Sequence, residues 1–161
     1  MNLKEFHAHL REAFPSAITS SCLKKGCKLT LEGIPQSSLT IIDADEYRRT
    51  HGHADRICDY LLFFTNERKL YVIPVEMKSG KVDAGTAVAQ LQRGADVCDE
   101  ILREFPPSPC PSELLPILLY GGGIRSMELK VLRRSRISFR GEEYPITYER
   151  CGHSLKNILR L

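Results

Sequence analysis

The chain has 161 residues, 42% hydrophobic and 27% charged, with a net charge of +3. Those values are ordinary for a globular protein and predict one unit, residues 1–161, with a real core. No apolar run approaches the roughly 20 residues that span a bilayer, and the N-terminal MNLKEFHAHLREAF has neither the apolar stretch nor the cleavage site of a secretory leader. The reading is therefore a cytoplasmic protein without membrane association, and a charge this mild does not by itself argue for nucleic acid.

In chain order, Leu3, Phe6, Leu10, Ala13 and Phe14 recur at helical spacing, which predicts a helix over 2–14 ended by Pro15. SAITSSCLKKG reads as a turn-rich link. CKLTLEG (27–33) and SLTIID (38–43) read as short strands, and ADEYRRTHGHAD (44–55) as a loop or a short helical turn. Two apolar runs follow, RICDYLLFFT (56–65) and KLYVIPVEMKS (69–79), parted by the polar turn NER (66–68). This is the strongest hairpin signal in the chain. Both faces of both runs are apolar, so the pair belongs in the middle of a sheet covered on both sides. Pro74 cannot donate to a ladder, so it marks a bulge or a position whose N–H has no partner.

Residues 83–105 carry an apolar stripe from Ala84 to Phe105, with Asp83 as N-cap, and predict an amphipathic helix. PPSPCP ends it, and ELLPILLYGGG (113–123) reads as a buried strand running into a glycine turn. Gly121–Gly123 either approach a phosphate or form a loose turn, the turn being favoured. The remainder, 124–161, reads as a β-rich tail containing MELKVLRR and a hairpin turning at Gly141–Glu142. It holds nine Lys/Arg against four Asp/Glu. Lys130, Arg133, Arg134 and Arg136 form its densest basic cluster, suited either to a phosphate backbone or to a solvated strand edge. The six cysteines include no CxxC pair. Cys58 and Cys98 fall inside apolar patterns. The spacing of Cys22, Cys27, Cys151 and His153 is loose for zinc, and reduced thiols are the better reading. The order predicts an α/β or α+β fold with a mixed sheet and helices on its faces.

The chemistry concentrates at one end of the hairpin. Glu76 and Lys78 point to one face of their strand. With the turn centred between Glu67 and Arg68, Asp59 lies opposite Glu76 on that face. A bulge at Pro74 would shift this register. Two carboxylates so close resist joint ionisation unless a cation sits between them. Mg²⁺ takes one or two carboxylates and keeps several waters. Bound there it would acidify a water and stabilise charge on a phosphate, with Lys78 alongside. The bland alternative is a structural ion-pair triad. His51 and His53 read as a solvated loop pair before metal ligands.

Asp59, then Glu76-Met77-Lys78 after a strand–turn–strand, then a helix carrying QLQRG, resembles the PD-(D/E)xK nuclease superfamily. The resemblance covers residues 57–120 closely and 1–56 loosely. It departs in one respect, since Cys58 stands where the family's literal Pro-Asp has proline. It implies a restriction-endonuclease-like core of helix, three-stranded meander, helix and strand, occupying about 1–123. It implies that Asp59 and Glu76 bind Mg²⁺ or Mn²⁺, that the Met77 carbonyl is a further ligand, and that Lys78 assists catalysis. Gln90 is the candidate for the glutamine some branches add, and Glu5 or Glu12 for a first-helix glutamate. The implied activity is endo- or exonucleolytic hydrolysis of phosphodiester bonds, DNA favoured, in restriction, phage defence or repair, with a homodimer or partner protein for targeting. A catalytically inactive nuclease-fold subunit that binds nucleic acid or a protein is the alternative.

Overall fold

The computed structural model describes residues 2–67 and 69–161. Arg68, in the expected NER turn, lies outside the described residues. The elements are α1 (Leu3–Ala13), β1 (Ile18–Thr19), β2 (Cys22–Lys24), β3 (Cys27–Leu29), β4 (Leu39–Asp43), α2 (Ala44–His51), β5 (Tyr60–Asn66) and β6 (Lys69–Lys78). There follow α3 (Ala84–Glu104), β7 (Ser112–Leu114), β8 (Ile117–Tyr120), α4 (Ser126–Arg134), β9 (Arg136–Phe139), β10 (Glu142–Pro145), β11 (Thr147–Arg150) and α5 (Leu155–Leu159). Among the described residues no helix is long and apolar enough to cross a membrane.

A mixed sheet runs β1-β4-β5-β6-β8-β11, with β7 also paired to β6. Strands β4, β5 and β6 form an antiparallel meander, while β6, β8 and β11 are parallel. Parallel neighbours need crossovers. Helix α3 makes the first, and α4 with the β9–β10 hairpin lies in the second. The apolar runs of β5 and β6 occupy the sheet centre and feed both faces. Leu61, Phe63 and Val72 pack on one face with Phe6 and Leu10 of α1 and with Leu91 and Cys98 of α3. Tyr60, Leu62, Ile73 and Val75 pack on the other with Cys22, Cys27 and Leu29 of the β2–β3 hairpin and Leu155 of α5.

Pro74 makes no bulge. The β5–β6 register runs unbroken from Tyr60↔Val75 through Leu61↔Pro74 to Asn66↔Lys69. On the other edge β7 and β8 meet β6 in one common register, ending at Val72↔Leu114 and resuming at Val75↔Ile117. Pro74 therefore falls opposite Pro116. The Leu115 N–H still donates to the Val72 carbonyl at 2.8 Å, but Pro74 has no N–H to offer on that edge, while Pro116 turns its carbonyl to Thr147 of β11, so the ladder lapses there and continues without slipping.

One further expectation is sharpened, since the short helical turn is a two-turn helix, and three are corrected. Residues 44–51 form a helix because the Asp43 carboxylate caps the amides of Asp45 and Glu46 at 3.0 and 3.2 Å. The link before residue 27 holds β1 and β2, and β2 pairs with β3 across a Lys25–Gly26 turn. MELKVLRR is helix α4, not a strand. Its alternating Met127, Leu129 and Val131 mimic strand period, but the residues are good helix formers and only Leu132 of α4 is buried. The C-terminal region thus holds two helices besides its strands, and β11 belongs to the main sheet. Its hairpin forms as expected, turning at Arg140–Gly141, one residue early. Finally, Cys27 and Cys151 form a disulfide, which overturns the all-thiol reading and dissolves the four-residue zinc set. Cys22, Cys58, Cys98 and Cys110 are free.

Candidate active site

The site forms where β5 and β6 leave their common ladder. Tyr60↔Val75 is the last pair. Beyond it the Asp59 N–H donates to the Val75 carbonyl at 2.9 Å, and the Asp59 carbonyl accepts from Ala44 N–H at 3.1 Å. Asp59 therefore shares Val75 with Tyr60 instead of pairing with Glu76 in the ladder, because its carbonyl is drawn aside to the start of α2. Its carboxylate still reaches the β6 end. Oδ2 accepts from Met77 N–H at 2.7 Å. Asp59 is 6% exposed and Glu76 2%.

The Glu76 carboxylate is split between two surroundings. Oε2 pairs with Lys78 Nζ at 2.9 Å. Oε1 is buried and has no hydrogen-bond partner. Burial first, then the negative charge of Asp59, pushes the Glu76 carboxyl up to about 7 against the pull of Lys78. The Lys78 ammonium donates in turn to Gln90 Oε1 at 3.2 Å. Gln90 is 3% exposed on α3, and α3 comes this close because Gly94, one turn on, has no side chain to strike Cys58 and Pro74. In a strand the N–H and C=O of one residue point to the same edge. The Met77 carbonyl thus lies on the Asp59 side.

Sequence reasoning missed Lys24. Its Nζ pairs with Asp59 Oδ1 at 2.7 Å and with Asp45 Oδ2 at 3.1 Å. Burial works against its charge, but the hydrogen bonds and charges of Asp59 and Asp45 outweigh it and hold the ammonium above the ordinary lysine range. The signal was present in CLKKGCKL, whose Lys-Gly turn between short alternating segments spells a hairpin. Lys24, Lys25 and Arg56 join Asp59, Glu76, Met77 and Lys78 around a cavity of about 180 Å³. Arg56 is exposed, and its carbonyl accepts from Arg93 of α3. A larger groove of about 730 Å³, by Arg11, Ile34 and Leu39, is lined by no acid or histidine.

The other candidates lie elsewhere. Glu5 closes a capping box with Asn2, and His7 beside it bonds Thr65 near the turn end of the hairpin, away from Asp59. Glu12 is exposed on α1. His51 stacks on Tyr47 with centroids 4.2 Å apart, and His53 approaches Glu100 at 3.7 Å, so neither is a free loop base. Gly121 and Gly122 pack against the backbone of Ser79 and Gly80, where a Cβ on Gly121 would stand 2.7 Å from the Ser79 carbonyl oxygen. These glycines serve close approach of two loops beside the site. Lys130, Arg133, Arg134 and Arg136 are exposed on α4 and β9, with Arg133 bonded to the Tyr148 hydroxyl at 3.2 Å and Arg136 to the carbonyls of Arg133 and Ser135. None of the four lines the cavity.

Among the described residues no group of three or more His, Cys, Asp or Glu is arranged to hold a metal ion. The site offers two carboxylates and a carbonyl, a donor set that suits a hard cation retaining several waters. Comparison of the chain with protein-family models, with curated proteins and with solved structures finds no match.

Proposed function

We propose that the protein is a metal-dependent nuclease that hydrolyses phosphodiester bonds, with DNA the favoured substrate and Mg²⁺ or Mn²⁺ the cofactor. The observation that carries this reading is the buried, partnerless Oε1 of Glu76 beside a second carboxylate. A buried carboxylate oxygen without a hydrogen bond, beside a second carboxylate, costs free energy that a bound cation would offset. Asp59, Glu76 and the Met77 carbonyl would hold it. The order α1, then the β4–β5–β6 meander, then α3 and β8 further supports the resemblance. A divalent cation supplies an acidified water and a counter-charge for the phosphate. Lys78, oriented by Glu76 and Gln90, donates a hydrogen bond toward the phosphate or the attacking water. Lys25 and Arg56, both exposed on the rim, receive the polyanionic strand. The test is cleavage of plasmid and oligonucleotides with Mg²⁺ or Mn²⁺ by wild type, Glu76→Gln and Lys78→Met. Loss of at least about 100-fold in both variants supports the reading, and unchanged activity in both sinks it.

One observation favours a second reading, a nuclease-fold subunit that binds nucleic acid without cleaving it. Lys24 and Lys78 already neutralise both carboxylates from within the chain. DNA retention with no Mn²⁺ binding at millimolar concentration would select it.

A further inference from the structure

Lys24 reaches the site from the opposite face of the sheet. It stands at the tip of the β2–β3 hairpin, beside a Lys25–Gly26 turn with φ of 48° and 81°. Positive φ at both residues gives the tight two-residue turn that matches strand twist. The inner face of the hairpin, Cys22, Cys27 and Leu29, is buried against the sheet, and the Leu23 N–H and C=O both bond the Tyr60 hydroxyl. The backbone under Lys24 is therefore anchored, and the part free to move is the lysine side chain.

Two cavities meet at this side chain. One, of about 180 Å³, contains Glu76 and Lys78; the other, of about 460 Å³, contains Asp43, Asp45 and Arg48. Lys24 and Asp59 line both, so their ion pair is the wall between them. The Asp45 carboxylate, with 41% of its side chain exposed, is a second partner already within 3.1 Å. A displaced ammonium would keep a counter-charge there.

We propose that Lys24 competes with the divalent cation for Asp59, yielding it when the cation binds and turning to the phosphates of the nucleic-acid strand. This rests on the cation reading given above. A cation between Asp59 and Glu76 repels the neighbouring ammonium, while a strand laid over Lys25 and Arg56 attracts it. Cation and polyanion thus favour each other through one side chain, and such coupling is reciprocal.

Mn²⁺ titration by calorimetry tests this on wild type and Lys24→Met. Removing a charge-assisted competitor should tighten Mn²⁺ binding on the order of tenfold. Because the variant leaves Asp59 unpaired and its fold at risk, a second measurement uses wild type alone. An amine-acylating reagent followed by mass spectrometry should modify Lys24 faster, relative to exposed Lys25, once Mn²⁺ is added. Equal Mn²⁺ affinity in both proteins, or Lys24 reactivity unmoved by bound Mn²⁺, overturns the role given to Lys24 and leaves the cation site standing. Failure of both proteins to bind Mn²⁺ overturns the cation reading itself.

Discussion

Lys24 and Cys27 are directly opposed across the β2–β3 hairpin, one gripping Asp59 and the other bonded to Cys151 just past β11. The residue that reaches into the candidate site is thus one cross-strand step from a covalent tether to the far edge strand. The crosslink spans 124 residues of sequence. Closing a loop of that length restricts the unfolded chain by about 4–5 kcal/mol. Reduction, or Cys151→Ser, should lower the urea midpoint accordingly and speed amide exchange across residues 22–29. An unchanged midpoint under reductant would rule out the bond.

Glu76 should cost stability at neutral and higher pH. Its carboxyl, raised to about 7 by burial and by Asp59, holds a proton that the unfolded chain releases near 4.5. Its contribution is present below that lower value and is lost as pH rises through the upper one. Glu76→Gln should therefore be more stable than wild type at pH 8, by at most about 3 kcal/mol, with no advantage at pH 4. Mn²⁺ should raise the melting temperature of wild type and not of the variant. Thermal unfolding at the two pH values reads all of this.

His7 has the opposite sign. Its ring bonds the Thr40 and Thr65 hydroxyls at 2.7 and 3.0 Å, and burial, then Arg11, lowers its pKa to about 4. The unfolded imidazole takes a proton near 6.5. Stability is full above that value and declines as pH falls toward 4, by at most about 3 kcal/mol. His7→Gln should flatten the decline. An NMR titration placing the His7 pKa near 6.5 would refute the argument.

Gly94→Ala tests how α3 is seated. The added Cβ would strike Cys58 Sγ and lie 3.1 Å from Pro74 Cβ. Alanine gains up to about 1 kcal/mol of helix propensity, but overpacking costs about 1–3 kcal/mol, so a net loss of about 1 kcal/mol is expected in denaturant unfolding. Since Gln90 lies one turn away, cleavage should fall as well.

Gln90 positions Lys78 and is separable from it. Gln90→Ala leaves Lys78 held by Glu76 alone. It should reduce kcat by roughly tenfold with KM little changed, whereas Lys78→Met should cost at least about 100-fold. Equal losses in both would mean that Gln90 acts on the substrate directly.

The amino-acid sequence by itself determined the central hairpin, the long helix behind it and the gathering of Asp59, Glu76 and Lys78 at one end of that hairpin. Each follows from local rules: side chains alternate along strands, apolar stripes recur along helices, and a short polar turn sets a register. Tertiary structure decided the rest. The seat of Asp59 beside Val75 and the reach of Gln90 to Lys78 came from packing. Helix α4 was hidden by an alternating apolar pattern that only the β8-to-β11 crossover resolves. Pro74 looked like a fault in its strand until its N side came to face the gap between β7 and β8, where no donor is needed. Lys24 reaches Asp59, and Cys27 reaches Cys151, only because the β2–β3 hairpin docks on one face of the sheet and overhangs its end. That docking is a matter of which buried faces meet, and periodicity along the chain carries no information about it.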